Sequence, residues 1–246
     1  IDFKRAFDLI DHNILHKKLT EYGFASQLST WMLSFLVDRK QFVRIGNCVS
    51  DVVVTNAGAP QGTRAGPNDF KVLINDLSFE SPYVKYVDDV TVAATSTNPL
   101  DNNMQLEVDK LVEWCVDNRI GLRLNTSKTK EMIIYFGKTY PKSEIACTAI
   151  NEARIERVET FKLLGIIFSS DLTWRAHIEY MLAKASKRIF VVYQLVRAGI
   201  SVNDVISVYC SLIRSILEYA CPVWHCGLTK GQSEEIEEAL YESIIS

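Results

Sequence analysis

Two adjacent carboxylates stand between short apolar runs in Val84-Lys85-Tyr86-Val87-Asp88-Asp89-Val90-Thr91-Val92. The flanks are rich in β-branched residues, the pattern of a β-hairpin with the acids at its tip. Buried acids are costly unless they are paired or bind a metal. On a tight hairpin the oxygens of Asp88 and Asp89 can face one cleft and hold a hard cation such as Mg²⁺. An isolated Asp-Asp pair is more often a solvated turn, so the rest of the chain must decide. Phosphoryl transfer through two metals needs carboxylates from separate strands converging on one point. Asp2 is a candidate for the second strand, because Ile1-Asp2-Phe3 reads as the tail of one. Between the two acidic sites lies Gly58-Ala59-Pro60-Gln61-Gly62-Thr63-Arg64-Ala65-Gly66-Pro67, the densest Gly and Pro cluster in the chain. It must be a loop.

The elements that position these groups follow from periodicity and punctuation. Residues 11–19 place apolar side chains at helical spacing, with Asp11 as N-cap and Gly23 as stop. A second helix is predicted over 27–37, with Trp31, Leu33, Phe35 and Leu36 in the core. Strand-like runs at 41–45 and 52–54, joined through Gly46-Asn47, carry a hairpin signature with a loop longer than two residues. A helix is predicted over 68–77 after the Gly/Pro loop. Another is predicted over 100–118, with Leu106, Leu111, Val112 and Trp114 on its apolar side and Gly121 ending it. Strands are expected at 132–136 and 161–168, the latter carrying Leu164-Gly165.

From Trp174 onward the character is helical, over 174–197 and 203–219. The first of these helices carries Arg175, Lys184, Lys187, Arg188 and Arg197 against one acid, Glu179. Like charges at helical spacing are unfavourable without an anionic partner, which favours a nucleic-acid backbone along this face over plain solvation. Glu234, Glu235, Glu237 and Glu238 mark a solvated acidic helix near the end. The β-then-α division predicts an α+β fold, with a sheet domain over 1–170 and a helical region over 171–246.

Composition sets broad limits. A chain of 246 residues with ordinary hydrophobic content can bury a sizeable core. The net charge of −3 supplies no global attraction to nucleic acid, so any such binding must use a local basic face. Cys48, Cys115, Cys147, Cys210, Cys221 and Cys226 are scattered, which argues against zinc and for free thiols in a reducing compartment. No apolar run is expected to reach membrane-spanning length. Residue 1 is Ile rather than Met, and the chain is expected to be a fragment lacking an N-terminal part.

Five motifs in order now carry a resemblance: Asp2-Phe3-Lys4-Arg5-Ala6-Phe7-Asp8, Pro60-Gln61-Gly62, Tyr86-Val87-Asp88-Asp89, Asn125-x-x-Lys128-Thr129 and Leu164-Gly165. The series resembles the palm motifs of reverse transcriptases. The setting, with Asp11-His12 and Leu73-Ile74-Asn75-Asp76-Leu77, is most similar to LINE-type (non-LTR) retrotransposons. It covers essentially the whole chain, since 174–224 also resembles that family's thumb.

The resemblance implies an RNA-directed DNA polymerase with a right-hand palm, a helical thumb, and fingers mostly missing from this stretch. Asp2 and Asp88 would be the principal ligands of two Mg²⁺ ions (Mn²⁺ as substitute), with Asp89 a supporting acid. Lys128 would protonate the leaving pyrophosphate. Phe7, five residues after Asp2, would exclude a ribose 2′-hydroxyl, with Phe3 beside it at the substrate. Gln61 and Gly62 would meet template and nucleotide, where glycine admits close backbone approach. Tyr86 would pack under the hairpin near the primer end. Arg64, in a departure from the usual filling after the glycine, would add a phosphate contact beside those of Lys184, Lys187 and Arg188. Val87 departs from the alanine common in LINE elements. RNA template, DNA primer and dNTPs are the implied partners, with no membrane, in the nucleus and cytoplasm. The stretch alone is expected to be inactive. The alternative from another class is a domesticated remnant with at most a nucleic-acid-binding role; RNA-templated RNA synthesis is disfavoured by Phe7.

Overall fold

A computed structural model describes residues 1–98, 101–118, 124–137, 145 and 147–245. The chain divides into two compact units, Ile1–Glu131 with Thr139–Glu156, and Met132–Lys138 with Arg157–Ser246. Helix and sheet are mixed, as expected of an α+β protein.

The first unit opens with α1 (His12–Glu21), capped by Asp11, whose Oδ1 accepts from the backbone N–H groups of Asn13 and Ile14. Gly23 follows with φ +78°, the left-handed geometry that ends a helix. Next comes α2 (Ser26–Leu36). Trp31 and Phe35 were expected in the core but are 66% and 46% exposed. Leu36 and Ser29, seven residues apart, define the buried face instead, and Trp31 and Phe35 share the opposite one.

Strands β1 (Arg39–Gln41), β2 (Arg44–Ile45), β3 (Cys48–Val49) and β4 (Val53–Thr55) form one long hairpin. Gln41 pairs with Val53, and Ile45 with Cys48. Its tip is therefore the two-residue turn Gly46-Asn47, shorter than predicted, with Gly46 at φ +57°.

Helix α3 (Ala65–Ile74) starts three residues earlier than expected. Phe70, Leu73, Ile74 and Leu77 are buried with Phe3, Ile10, Leu15, Leu19, Val90 and Leu111 in the main core. The acidic hairpin follows as β5 (Tyr83–Tyr86) and β6 (Asp89–Val92). Helix α4 (Asn103–Asp117) packs through Val108 and Leu111, whereas Leu106, predicted inside, is 62% exposed. The predicted limits of this helix at Leu100 and Gly121 lie outside the described residues. Strands β7 (Lys130–Glu131), β8 (Ala149–Ile150) and β9 (Ala153–Arg154) complete the unit. The strand predicted over 132–136 is not one; β7 ends before it and Phe136 is exposed.

β10 (Glu156–Arg157) falls where the chain passes from one unit to the other. In the second unit, the predicted single strand over 161–168 is a hairpin, β11 (Thr160–Leu163) with β12 (Ile166–Ser169). Leu164 (φ +46°) and Gly165 (φ +91°) make its turn, both central residues having the positive φ that tight hairpins favour. Tyr219 Oη donates to Leu164 O at 2.9 Å and clamps it.

Helix α5 (Arg175–Arg197) spans the predicted range. Then α6 (Val202–Tyr209) passes through a π-turn at Cys210–Arg214 into α7 (Ser215–Leu217), with α8 (Cys221–Trp224) and the acidic α9 (Lys230–Ile245) beyond. By length and mean hydropathy the run Val202–Gly227 is long and apolar enough to cross a membrane, contrary to the sequence expectation. It is not one continuous helix: Ala220 at φ +51° breaks it just before Pro222.

Candidate active site

The strand tail at residues 1–3 is built into the sheet from both sides. Ile1 donates from its backbone nitrogen to Val90 O at 2.8 Å, and Val90 N returns a bond to Ile1 O at 3.3 Å. On the other side Phe3 bridges Leu124 in antiparallel fashion, and Asn125 N donates to Asp2 O at 2.8 Å. The spatial order is therefore β5, β6, the strand tail, then the 124–125 segment. Ile1 beside Val90 sets Asp2 beside Asp89.

The turn at the hairpin tip is Val87-Asp88, since Tyr86 pairs directly with Asp89. Only one of the two acids is thus in the turn; Asp89 opens β6. Val87 has φ +56°, a left-handed conformation that a β-branched residue rarely adopts. Such strain persists where surrounding structure imposes it, and it clusters at functional sites. Imposition comes from Lys85, whose ammonium donates to Ile74 O (2.9 Å), Asn75 O (3.0 Å) and Leu77 O (2.9 Å) at the C-terminal end of α3. A cation there satisfies the unpaired carbonyls and complements the helix dipole. Helix α3 thereby ties the hairpin at one end to the Gly/Pro loop at the other.

The three acids sense each other. The Asp89 carboxyl is held above the usual carboxylate range by partial desolvation, then by the negative charges of Asp88 and Asp2. Like charges held together call for a cation. Among the described residues no group of three or more His, Cys, Asp or Glu stands as a ready metal cage. Mg²⁺ rarely needs one: it takes one or two carboxylates and completes its shell with waters and substrate phosphates. These hard oxygen donors fit that role.

Asp2 is also oriented, by a residue the sequence reading passed over. Asn125 Nδ2 donates to Asp2 Oδ2 at 2.8 Å, and Ser127 Oγ donates to Asn125 Oδ1 at 2.8 Å, which sets the amide's direction. Thr129 Oγ1 accepts from Asp2 N at 3.2 Å. The motif around Lys128 had been read for its lysine. Its Asn and Thr were visible signals, but their target became legible only once 124–129 lay against residue 2. Asn125→Ala is expected to leave the Asp2 carboxylate free to turn and to weaken Mg²⁺ binding about 10–100-fold, as loss of a ligand-orienting partner does. Mg²⁺ titration of the folded variant checks this; an unchanged affinity would show that Asp2 is oriented without it.

The remaining candidates divide. Lys128 is exposed on the turn between Asn125 and Thr129, at the same edge as Asp2. Phe7 is half-buried, its ring 5.3 Å from that of Phe70. Phe3, expected to touch substrate, is 3% exposed, and its ring packs edge-on to Phe70; it is a core residue because the strand tail is sandwiched on both sides. Tyr86 does not pack under the hairpin but is 59% exposed, since it lies on the outer face of β5. Gln61 and Gly62 are exposed in the loop, and Gly62 has φ +78° with open space around it. Arg64 is exposed at the start of α3. Lys184, Lys187 and Arg188 are exposed on α5, in the other unit.

A family model described as reverse transcriptase (RNA-dependent DNA polymerase) matches residues 1–168. The chain belongs to the reverse transcriptase family. Similar proteins include the RNA-directed DNA polymerase from mobile element jockey of Drosophila funebris, 25% identical over 241 residues, covering 91% of this chain and 25% of that protein. The probable RNA-directed DNA polymerase from transposon BS of Drosophila melanogaster is 25% identical over 238 residues, covering 91% and 26%. The Pol polyprotein from retrotransposable element R1 of Bradysia coprophila is 24% identical over 237 residues, covering 91% and 22%. This reverse transcriptase chain spans about a quarter of the length of the curated relatives it matches. Asp2, Phe7, Gln61, Gly62, Asp88 and Asp89 all fall within the matched residues.

Charge crowding among these acids has a measurable consequence. The folded state holds the Asp89 proton more tightly than an unfolded chain does, so ionised Asp89 opposes folding at neutral pH, and the penalty fades as pH falls toward its raised value. Asp89→Asn is expected to raise the melting temperature on the order of 1 °C, a small gain because the group is exposed and screened. The gap should narrow as pH falls from neutral through the raised value toward the ordinary carboxylate range of about 4. A lower melting temperature in the variant at neutral pH would contradict the crowding.

Proposed function

We propose that this chain is the palm, with an attached helical thumb, of an RNA-directed DNA polymerase from a LINE-type mobile element. Residues 1–170 form the palm and 171–246 the thumb. The observation that carries the reading is the pairing of Ile1 with Val90, which sets Asp2 beside Asp89 at the foot of a strained Val87-Asp88 turn.

When bound, divalent metal lowers the pKa of a primer 3′-hydroxyl and neutralises charge developing on the phosphates. Asp2 and Asp88 would hold it, with Asp89 assisting. The chain's own contribution is position. Asn125 and Thr129 fix Asp2 by its carboxylate and its backbone. Phe7 limits the room beside the sugar, and Gln61-Gly62 presents an exposed amide side chain and open backbone to template and nucleotide. Lys128, exposed at the Asp2 edge, donates a proton to the departing pyrophosphate. The basic face of α5, with Lys184, Lys187 and Arg188, follows the template–primer backbone, and Arg64 adds a phosphate contact.

The experiment is primer extension on an RNA template by the polypeptide that carries this chain, with dNTPs and Mg²⁺. Metal-dependent DNA synthesis supports the proposal. Tight binding of template–primer without extension would instead favour a nucleic-acid-binding module.

A further inference from the structure

Phe7 and the Gln61-Gly62 pair stand on segments that the sequence separates and the fold bolts together. Ala59 N donates to Phe7 O at 2.8 Å, and Gly58 N donates to Ile10 O at 2.9 Å. From the first residue of α1, His12 returns a bond: its Nε2 lies 2.8 Å from Gly58 O. A carbonyl only accepts, so Nε2 carries a hydrogen and donates it. His12, Ile10 and Ala59 are all buried, so this joint is largely closed to water.

Gly58 makes the joint possible. Its φ of +79° is one that L side chains rarely adopt, and a Cβ there would meet Phe7 O and Asp8 O at 2.8 Å and Asp8 Cα at 2.9 Å. All three are backbone atoms of the turn that carries Phe7, so no side chain could swing aside to make room. That turn is itself closed, with Asp8 N and Leu9 N donating to Arg5 O at 2.9 and 3.1 Å. The loop therefore rests directly on the peptide that follows the Phe7 ring. On the exposed side Gln61 Nε2 reaches Asp8 Oδ1 at 3.5 Å, a looser link between the same two segments.

A steric gate discriminates only as well as its walls hold still. The Phe7 ring is braced by Phe70 of α3, 5.3 Å away, and its backbone is braced by Ala59. Ala59 is fixed in turn through Gly58, both of whose polar groups are taken, N by Ile10 O and O by His12. His12 supplies the side-chain half of the joint, the half that a substitution can remove without altering Phe7 or the loop.

We infer that His12 and Gly58 are positioning residues for sugar selection: they lock the Phe7 turn to the 58–62 loop, so that the gate and the nucleotide-facing loop form one rigid wall. Neither touches the sugar. The sugar role rests on the reading of Phe7 as the gate, whereas the joint itself does not. A buried histidine bonded to a carbonyl is often no more than a satisfied core residue, and the two roles differ in what its loss does.

The test uses the complete polypeptide that carries this chain, with His12→Phe, which keeps a ring and removes the donor, and His12→Gln, which keeps a donor toward Gly58 O. Amide hydrogen exchange at Ala59 reads the joint, and paired kcat/KM values for a dNTP and its rNTP read the gate. Exchange about tenfold faster in His12→Phe is the expected result. Preference for the deoxynucleotide should narrow about tenfold, chiefly because kcat/KM for the rNTP rises. Both should return toward wild type in His12→Gln. General damage lowers the two kcat/KM values together, so a merely structural histidine leaves their ratio unchanged. An unchanged ratio in His12→Phe would overturn the inference, whether or not Ala59 exchanges faster. Phe7→Val, measured alongside, separates this failure from failure of the gate. If Phe7→Val relaxes selectivity and His12→Phe does not, the gate stands and the positioning role falls. If Phe7→Val leaves selectivity unchanged, or the wild type extends no primer, the gate reading fails and takes the sugar role with it. Should His12→Phe not fold, His12→Asn, whose shorter side chain stops short of Gly58 O, takes its place with the same expected and refuting results.

Discussion

Asp88→Ala is expected to lower metal-dependent primer extension by about 10³–10⁴-fold while leaving the fold and template–primer binding intact. The size follows from the several kcal/mol that a metal ion supplies at a phosphoryl-transfer transition state, each 1.4 kcal/mol being about tenfold in rate. The fold should survive because Asp88 lies in a turn, between a strained Val87 and the first residue of β6. Removing its charge also relieves Asp89, which Asp88 holds above the usual carboxylate range after the effect of desolvation. Loss of activity would therefore come with no loss of stability, the mark of a group kept for chemistry. Extension assays with a parallel melting curve and a binding measurement separate these effects. Retained extension in a folded variant would remove Asp88 from the metal site.

The second large effect concerns the sugar. Phe7→Val is expected to raise incorporation of ribonucleotides relative to deoxynucleotides by about 10–100-fold, because the discrimination is steric exclusion and the smaller side chain opens the space. Exclusion works only if the ring cannot swing away. The ring of Phe7 is braced against that of Phe70 at 5.3 Å, and its carbonyl accepts from Ala59 N at 2.8 Å. Some stability should be lost, about 1–2 kcal/mol for a partly buried aromatic cut to Val. Paired measurements of kcat/KM for a dNTP and its rNTP, on protein shown to be folded, give the answer. Unchanged sugar selectivity would leave Phe7 as a packing residue only.

Much of this was legible in the residues because the signals are local. Asp11 and Gly23 mark the ends of α1 through cap chemistry that needs no distant partner. The β-branched runs around Asp88-Asp89 form β5 and β6 as their alternation requires. The order of motifs carried the family, and the family model matches the region that holds them. Errors arose where apolar character was taken for burial. Trp31, Phe35 and Leu106 are apolar, yet which face of a helix finds a partner depends on what packs against it. The run at 161–168 has strand composition throughout, and only the positive φ of Leu164 and Gly165 folds it back on itself.

Sequence by itself determined which groups could do chemistry: acids on a hairpin, an acid at a strand end, a glycine-rich loop, and an Asn-x-x-Lys-Thr motif. It could not say which of them meet. Ile1 and Val90 are 89 positions apart, and Asp2 and Asn125 are 123 apart, so their contacts belong to sheet pairing rather than to any local pattern. Tertiary structure alone put Phe3 in the core and Tyr86 on the surface, made Asn125 the partner of Asp2, and tied loop to hairpin through α3. The physical reason is that propensity and periodicity act over a few residues, whereas the geometry of a site depends on strands brought together by the packing of the whole core.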